Sequence, residues 1–184
     1  AETNHLKALE IRRQVFAEEE HADLPMTMVN LANLYVNVAR YEEAEPLLRE
    51  GLEHLRRLDG DVDEEVAICL NSLGNLMQHL ERFDEAGPYY EEALAIHTAV
   101  LGADHPFVIT DMFNLAWLAM NTGDMDGAVA RFEEAADLSR SVYTEPHPRL
   151  ILAINGQAAA EQRRGRPEAA EPLFRESVAM AVDA

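Results

Sequence analysis

The sequence predicts an all-α protein, built as a solenoid of antiparallel helix pairs with about nine helices. Two observations predict this class: one short motif recurs every 42 residues, and apolar residues follow a helical spacing inside each copy. A chain of 184 residues with 48% hydrophobic and 27% charged residues has the composition of a folded protein. No apolar stretch approaches the roughly 20 residues that a membrane helix needs.

The repeat is marked by an alanine that returns at one position in four copies. Self-similarity at a fixed period is the sequence signature of repeat proteins. A small side chain lets two helix backbones approach closely, so we expect each alanine at a contact between paired helices. Three copies add a proline two residues later, which we expect in the first turn of a helix, where its missing N–H costs no hydrogen bond. The alanines are Ala44, Ala86, Ala128 and Ala170, and the prolines are Pro46, Pro88 and Pro172.

Each copy contains two helical patterns. Leu70, Leu73 and Met77 are three and four residues apart, which places them on one face of a helix. A second apolar stripe begins at Phe83, and two helices joined by so short a turn must fold back antiparallel. We expect glycines at the helix ends, because glycine adopts the left-handed backbone of a C-cap without strain. These glycines are Gly60, Gly102, Gly123 and Gly165.

The period divides the chain into one array over residues 1–184. Residues 1–20 align with the second helix of a truncated repeat, and four helix pairs follow at 22–60, 61–104, 105–146 and 147–184. Neither end carries the polar capping helix that the end of a solenoid usually needs. We therefore expect the chain to be part of a longer array or a larger multidomain protein.

Four stretches of the second full copy carry a family resemblance: LNSLGNL at 70–76, RFDEA at 82–86, YEEALAI at 90–96 and VLGADHP at 100–106. They resemble the tetratricopeptide repeat, in the 42-residue form of kinesin light chains and many bacterial multidomain proteins. The resemblance implies a right-handed superhelix, whose first helices line a concave groove that holds peptides, and a non-enzymatic role. The last copy departs from the pattern at Gln157 and Glu161, where an apolar and a tyrosine-like residue are usual.

The groove positions of the first helices are rich in amide side chains. Asparagine is a poor helix former, because its side chain competes for backbone hydrogen bonds, so eight asparagines on these helices need a reason. Their amides can bond the backbone of an extended peptide of any sequence, or they can bond neighbouring helices to each other. Both interpretations stay open for Asn33 and Asn75, and the resemblance favours ligand contact for Asn71 and Asn155. The predicted groove residues are Asn33, Asn37, Asn71, Asn75, Gln78, His79, Phe113, Trp117, Met120, Asn121, Asn155, Gln162 and Arg163.

Two aromatic residues stand out in this set. Phe113 and Trp117 lie four residues apart and therefore share one helical face. An exposed aromatic pair would form an anchor pocket, since aromatic residues dominate binding hot spots. The alternative is that Trp117 belongs to the core, because single tryptophans usually are largely buried.

The charge balance limits the classes of partner. With 34 Asp and Glu against 15 Lys and Arg, the formal net charge is −19, so nucleic acid and anionic membranes would be repelled. Such a charge serves solubility, and it would attract a protein or peptide partner with a basic segment. Some relatives clamp a C-terminal carboxylate with Lys, Asn and Arg, but Arg163 is the one cation at the predicted groove positions, so no clamp is predicted. The basic groove that kinesin light chains use for acidic peptides also fits this acidic chain poorly.

The sequence contains none of the patterns that carry catalysis. Cys69 is the one cysteine, and we expect it to be a small buried hydrophobe. His105 and His147 each precede a proline one period apart, which marks a helix start rather than a metal ligand. No phosphate-binding loop or nucleophile elbow is present. We therefore predict no enzymatic activity, no cofactor and no metal site, and, in the absence of a signal-peptide pattern, a cytoplasmic location.

The sequence leaves two functions to compare. The first is a protein–protein interaction module that binds an extended peptide or partner segment in the groove lined by the first helices. The alternative is a structural spacer or oligomerisation array of a larger protein, such as a bacterial regulator or kinase, that self-associates through the ends of the array.

Overall fold

The computed structural model describes residues 23–143 and 147–183. These residues form eight helices and no strand, which confirms the all-α class. The ninth helix, expected within residues 1–20, lies outside the described residues. The helices are α1 (Asp23–Asn37), α2 (Tyr41–Asp59), α3 (Glu64–His79), α4 (Phe83–Leu101), α5 (Pro106–Thr122), α6 (Met125–Val142), α7 (Pro148–Arg163) and α8 (Pro167–Asp183).

The chain divides into two compact units, residues 1–96 and 97–184. In the first unit, α1 packs on α2, α2 packs on α3, and α1 also contacts α3. In the second unit, α5, α6, α7 and α8 pack on each other in order, and α5 also contacts α7. Helices α6 and α8 meet through side chains, with Nη2 of Arg140 3.0 Å from Oε1 of Glu176. The backbones of α5 and α7 come closer together than those of α6 and α8, which places the first helices on the inner side of the second unit. One array over residues 1–184 stays a prediction.

The repeated alanines lie at helix contacts, as predicted. Ala44, Ala86 and Ala128 are fully buried and Ala170 is 2% exposed. Helix α3 also has a small residue where it contacts α4. This residue is Gly74, and a Cβ added to it would come within 2.6 Å of the Tyr90 ring. Close approach of the two helices of a pair therefore depends on small residues.

The helix ends follow the predicted capping pattern. The glycines that we expected at C-termini have a positive φ, which favours glycine: 86° at Gly60, 91° at Gly102, 88° at Gly123 and 81° at Gly165. His105 and His147 are N-caps, and the Nδ1 atom of each accepts a hydrogen bond from the backbone N–H two residues later, at 3.3 and 3.2 Å. The prediction that both histidines mark helix starts is confirmed.

The predicted place of the repeated prolines is wrong. Helix α2 begins at Tyr41, so Pro46 is its sixth residue and lies in the second turn; Pro88 and Pro172 have the same place in α4 and α8. The missing N–H leaves the carbonyl four residues earlier without its helical donor. In α2 that carbonyl belongs to Glu42, which is exposed like Pro46 itself, so water can take the vacant place.

The last helix pair packs despite its departures from the family pattern. Ala153 and Ile154 of α7 are fully buried in the core of the second unit. Gln157 is half-buried, and Glu161 is 8% exposed with one carboxylate oxygen 3.6 Å from Nη1 of Arg164. Ala153 and Ile154 therefore form the core of this pair, although Gln157 and Glu161 stand where the family pattern has larger apolar or aromatic residues.

One ionisable pair is buried in the second unit. Nδ1 of His97 lies 2.7 Å from Oδ2 of Asp111, with side chains 2% and 0% exposed. The ring of Phe107 lies 5.1 Å from the His97 ring and covers it. A buried polar pair of this kind fixes the register between the end of α4 and α5, because neither group can lose its partner without a desolvation cost.

We predict that Ala86→Leu lowers the free energy of unfolding by about 1–3 kcal/mol through overpacking. Denaturant titration followed by circular dichroism measures the change. Ala95→Leu is the matched control, because Ala95 is exposed on the same helix and a surface substitution should change stability by less than about 0.5 kcal/mol. Equal midpoints for the two variants would contradict the placement of Ala86.

Candidate functional site

A cavity opens between the first helices of the second unit. It has a volume of about 230 Å³ and lies between the N-terminal halves of α5 and α7. We name it the α5–α7 pocket. The residues that line it are Ile109, Thr110, Phe113, Arg149 and Leu152.

The walls of the α5–α7 pocket are mostly apolar. Leu152 is 52% exposed, which is high for a large apolar side chain, and Ile109 is 1% exposed at the base. Phe113 is half-buried and packs edge-to-face on Phe132, with ring centroids 5.5 Å apart. Phe113 is therefore held by the core on one side and borders the cavity on the other. A rigid aromatic wall of this kind suits an apolar side chain from a partner.

The polar rim of the pocket is built by Arg149. Its Nη1 donates a hydrogen bond to the carbonyl of Pro106, which also accepts from the Thr110 hydroxyl at 3.1 Å. This bond ties the guanidinium of α7 to the first turn of α5. A guanidinium has five N–H donors, so donors remain for a ligand.

Of the predicted aromatic pair, one residue lines the pocket. Phe113 does, whereas Trp117 is half-buried and packs on the core, with its ring 5.7 Å from that of Phe132. Met120 is 2% exposed and belongs to the same core, so its side chain offers no surface to a ligand.

The amides of the second unit have different surroundings. Asn155 is half-buried, and its Oδ1 accepts a 2.7 Å hydrogen bond from Ser177 of α8, so it bonds the two helices of its pair. Asn121, Gln162 and Arg163 are exposed near the C-terminal ends of α5 and α7. The α5–α7 pocket includes none of these four residues.

The predicted residues of the first unit also divide into two groups. Gln78 and His79 serve helix contacts: Oε1 of Gln78 accepts from the Tyr90 hydroxyl at 3.0 Å, and the exposed His79 ring stacks on Tyr41 with centroids 5.6 Å apart. The predicted asparagines of α1 and α3 differ in their solvent exposure. Asn37 and Asn75 are exposed, and Asn33 and Asn71 are half-buried.

Sequence reasoning missed four of the five pocket residues: Ile109, Thr110, Arg149 and Leu152. No departure from the repeat marks Leu152. It lies six residues before the small residue Ala158, and the same position is also apolar in the first two helix pairs, at Met26 and Ile68, and polar at Thr110. The sequence therefore carried no signal that singles out Leu152.

The sequence profile of the tetratricopeptide repeat matches residues 23–86, 65–120 and 118–181. The chain belongs to the tetratricopeptide repeat family. Solved structures with the same α-solenoid fold include kinesin light chain repeats, so the predicted kinesin light chain-like form is confirmed as well.

Three solved structures illustrate the fold of this tetratricopeptide repeat chain. BtubC (BKLC) from P. vanneervenii has a TM-score of 0.88 at 23% identity, over 100% of this chain and 72% of BtubC. A putative kinesin light chain from Podospora anserina, with nearly identical repeats, has a TM-score of 0.78 at 21% identity, over 99% and 90% of the two chains. A Rap protein complexed with Competence and Sporulation Factor has a TM-score of 0.77 at 12% identity, over 98% of this chain and 50% of the Rap chain. Identities this low show a shared fold alone. No protein with a curated description matches the sequence.

Other kinds of site are absent from the described part of this tetratricopeptide repeat chain. Residues 23–143 and 147–183 contain no group of three or more His, Cys, Asp and Glu side chains that could hold a metal ion. No helix in those ranges has the length and apolar character that a membrane crossing requires.

The one cysteine is a structural residue. Cys69 is buried in the first unit, and its Sγ donates to the carbonyl of Leu48 at 3.4 Å. Burial raises the pKa of the Cys69 thiol to about 12. The thiolate is the nucleophilic form of cysteine, so both the burial and the raised pKa of Cys69 oppose its reaction.

We predict that Cys69 does not react with Ellman's reagent in the folded protein at pH 8. The same thiol should react completely in denaturant, because unfolding restores solvent access and an ordinary pKa. The time course of absorbance under both conditions checks this. Stoichiometric labelling within minutes without denaturant would contradict the burial of Cys69.

Proposed function

We propose that this tetratricopeptide repeat chain is a non-enzymatic protein-interaction module that binds an extended segment of a partner on α5 and α7. The α5–α7 pocket is the single observation that carries the proposal. It offers a half-exposed leucine, a fixed aromatic wall and an anchored guanidinium in one place. Binding sites combine apolar walls with a few placed polar groups in this way.

The surroundings of the pocket suit an extended peptide better than a small metabolite. Asn121, Gln162 and Arg163 are exposed further along the same two helices, where they could bond the backbone of a chain that leaves the pocket. A solved relative of similar fold, the Rap protein, is complexed with Competence and Sporulation Factor. In this proposal the asparagines of α1 and α3 extend the binding face, and the predicted cytoplasmic location stays a prediction.

We predict that Leu152→Ser weakens peptide binding about four- to tenfold. Peptides enriched from a random phage display against the whole chain serve as probes, and fluorescence anisotropy gives their Kd. Fully burying a leucine is worth about 1.5–3 kcal/mol, so covering its exposed half is worth about half as much, and about 1.4 kcal/mol is a tenfold change in Kd. Because Leu152 is 52% exposed, its loss should lower the melting temperature only slightly and leave the helicity unchanged.

Val62→Ser is the matched control for this experiment, since Val62 is 63% exposed in the first unit and lines no part of the pocket. Two results would overturn the proposed function. One is that no peptide is enriched; the other is that enriched peptides bind the Leu152→Ser and Val62→Ser variants equally well.

A second cavity supports self-association as a second candidate function. It has a volume of about 600 Å³ and lies on α8, where Phe174 and Val178 occupy the positions of Phe132 and Ala136 one period earlier. Phe132 and Ala136 are buried, whereas Val178 is 62% exposed. The face is bordered by Glu171 and Arg175, opposite charges one turn apart. A second copy with α8 antiparallel would therefore meet a complementary charge at each.

We predict for this candidate that sedimentation velocity detects a dimer whose fraction rises with protein concentration. Val178→Asp should leave only monomer, because a carboxylate would be buried in the contact. Val62→Asp is the control and should not change the dimer fraction. A wild-type protein that is monomeric at every concentration would exclude this function and leave the peptide-binding proposal intact.

A further inference from the structure

We propose that pairing of two copies through α8 competes with the binding of an extended partner segment, because both contacts cover Gln162 at the end of α7. This inference rests on the two candidate functions proposed above and adds the way in which one regulates the other. The cavity on α8 links them, since Gln162 lines it together with Phe174 and Val178. In the proposed binding face, the same Gln162 bonds the backbone of a segment that leaves the α5–α7 pocket.

Gln162 presents its amide to whatever occupies this cavity. Two periods earlier, the same position is Gln78, whose Oε1 accepts a hydrogen bond from the Tyr90 hydroxyl at 3.0 Å. Phe174 has the position of Tyr90 and lacks a hydroxyl, so Gln162 cannot make the equivalent bond. The side chain of Gln162 is exposed, and an amide has two donors and an acceptor to offer. A partner segment and a second copy can therefore use the same group.

The outer side of α8 is more apolar than the equivalent part of α6. Ala179 has the position of Asp137 one period earlier, and it is exposed. Val182 has the position of Arg140, and it is 79% exposed. Together with Val178, which is 62% exposed, they extend the apolar face beyond the cavity along the helix. Contiguous exposed apolar side chains mark an interaction surface.

A further helix pair of the same kind would not cover this outer side. Asp137 and Arg140 are exposed although α7 and α8 pack after α6 in the same unit. A pair that followed α8 in the same way would leave Ala179 and Val182 in water. Arg140 also lies 3.0 Å from Glu176 of α8, and Val182 has no group to make the equivalent ion pair. The outer side of α8 therefore fits a partner of a different kind.

A second copy of this chain fits the face by charge. Over most of its surface the chain repels another copy, because its formal net charge is −19. The lining of the α8 cavity instead contains one acid and one base, Glu171 and Arg175, whose Oε1 and Nη2 atoms lie 2.6 Å apart. In an antiparallel pair, Glu171 of each copy meets Arg175 of the other, so the apolar contact forms without like charges opposed.

This pairing is weak enough for a peptide to reverse it. Stable interfaces bury roughly 800 Å² on each partner, and a contact made by one helix from each copy falls short of that area. The fraction of paired chains therefore depends on protein concentration and on any ligand that binds one form alone.

Competition follows from the shared surface. A copy seated on α8 covers Gln162, so a segment that reaches from the α5–α7 pocket to the end of α7 cannot bind the paired form. A segment confined to the pocket has no such conflict, since Leu152 and Gln162 are ten residues apart, which is about 15 Å along the helix. Two ligands that exclude each other do so reciprocally, so an extended segment also disfavours pairing.

Sedimentation velocity of the whole chain with two forms of one peptide tests the competition. The long probe is the tightest phage-selected peptide. The short probe is the same peptide cut to about four residues around the side chain that depends on Leu152, which span less than the distance to Gln162. We expect the long probe at saturation to lower the dimer fraction at least about twofold, and the short probe to leave it unchanged. Where half of the chains are paired, the apparent Kd of the long probe should rise about twofold, because only single copies bind it.

Val182→Asp separates pairing from peptide binding. Val182 lies 20 residues beyond Gln162 and lines no part of the cavity. An aspartate there should abolish the dimer by placing a carboxylate in the contact, while both probes keep their wild-type Kd at low protein concentration. The Kd of the long probe should then no longer depend on protein concentration. Val62→Asp is the matched control, since Val62 is 63% exposed in the first unit, and it should change neither quantity.

The results that overturn the inference differ from those that overturn peptide binding. A dimer fraction that the long probe leaves unchanged, or that the short probe lowers equally, would show that the two contacts do not share Gln162. A dimer that survives Val182→Asp would place the contact elsewhere. A wild-type chain that stays monomeric would remove the competition and leave the peptide-binding function standing. Selected peptides that bind the Leu152→Ser variant as tightly as the wild type would remove the proposed function and the competition together.

Discussion

The close approach of paired helices is the constraint on which the rest of this structure depends. A buried alanine recurs every 42 residues on the second helices, and the facing position of α3 is Gly74, whose missing side chain is filled by the ring of Tyr90. In the second unit, Gly156 of α7 makes room in the same way for the ring of Phe132 from α6, here at a contact between neighbouring pairs. Small residues on one helix thus make room for large rings from an adjacent helix. The stack forms because neither helix of a pair can bury its apolar stripe alone.

That constraint also fixes the candidate site. Phe132 is fully buried, and it receives Gly156 on one side and the edges of Phe113 and Trp117 on others. Phe113 is therefore immobilised by the core while one part of it borders the α5–α7 pocket. Binding sites lose affinity when side chains must be ordered on association. Here the packing that holds the repeat together has already ordered one wall, and the bond from Arg149 to Pro106 orders the rim.

Local features of the fold could be predicted from the sequence, and distant ones could not. The glycine C-caps and the histidine N-caps were predictable because a cap depends on a few neighbouring residues. The second-turn place of Pro46 was missed because proline was expected in a first turn, although the apolar stripe that begins at Phe83 marks the correct start of the equivalent helix α4. Within the site, Phe113 was found from its helical face, but Arg149 and Leu152 lie on another repeat. Only the contact between α5 and α7 brings them to Phe113.

Net charge is a coarse guide to the partner for a related reason, and the basic partner that it predicts stays a prediction. A sum over the sequence weights Asp111, which is buried against His97, as heavily as an acid on the outer face of α6. Electrostatic recognition depends instead on the charges that a ligand meets within about a screening length. The net charge of a chain and the charge near its ligand can differ in a repeat with two layers of helices. The second helices can carry the charge that keeps the chain soluble, while the first helices carry the charge that a ligand meets. The net charge of a tetratricopeptide repeat chain therefore does not by itself set the charge of the face that a ligand meets.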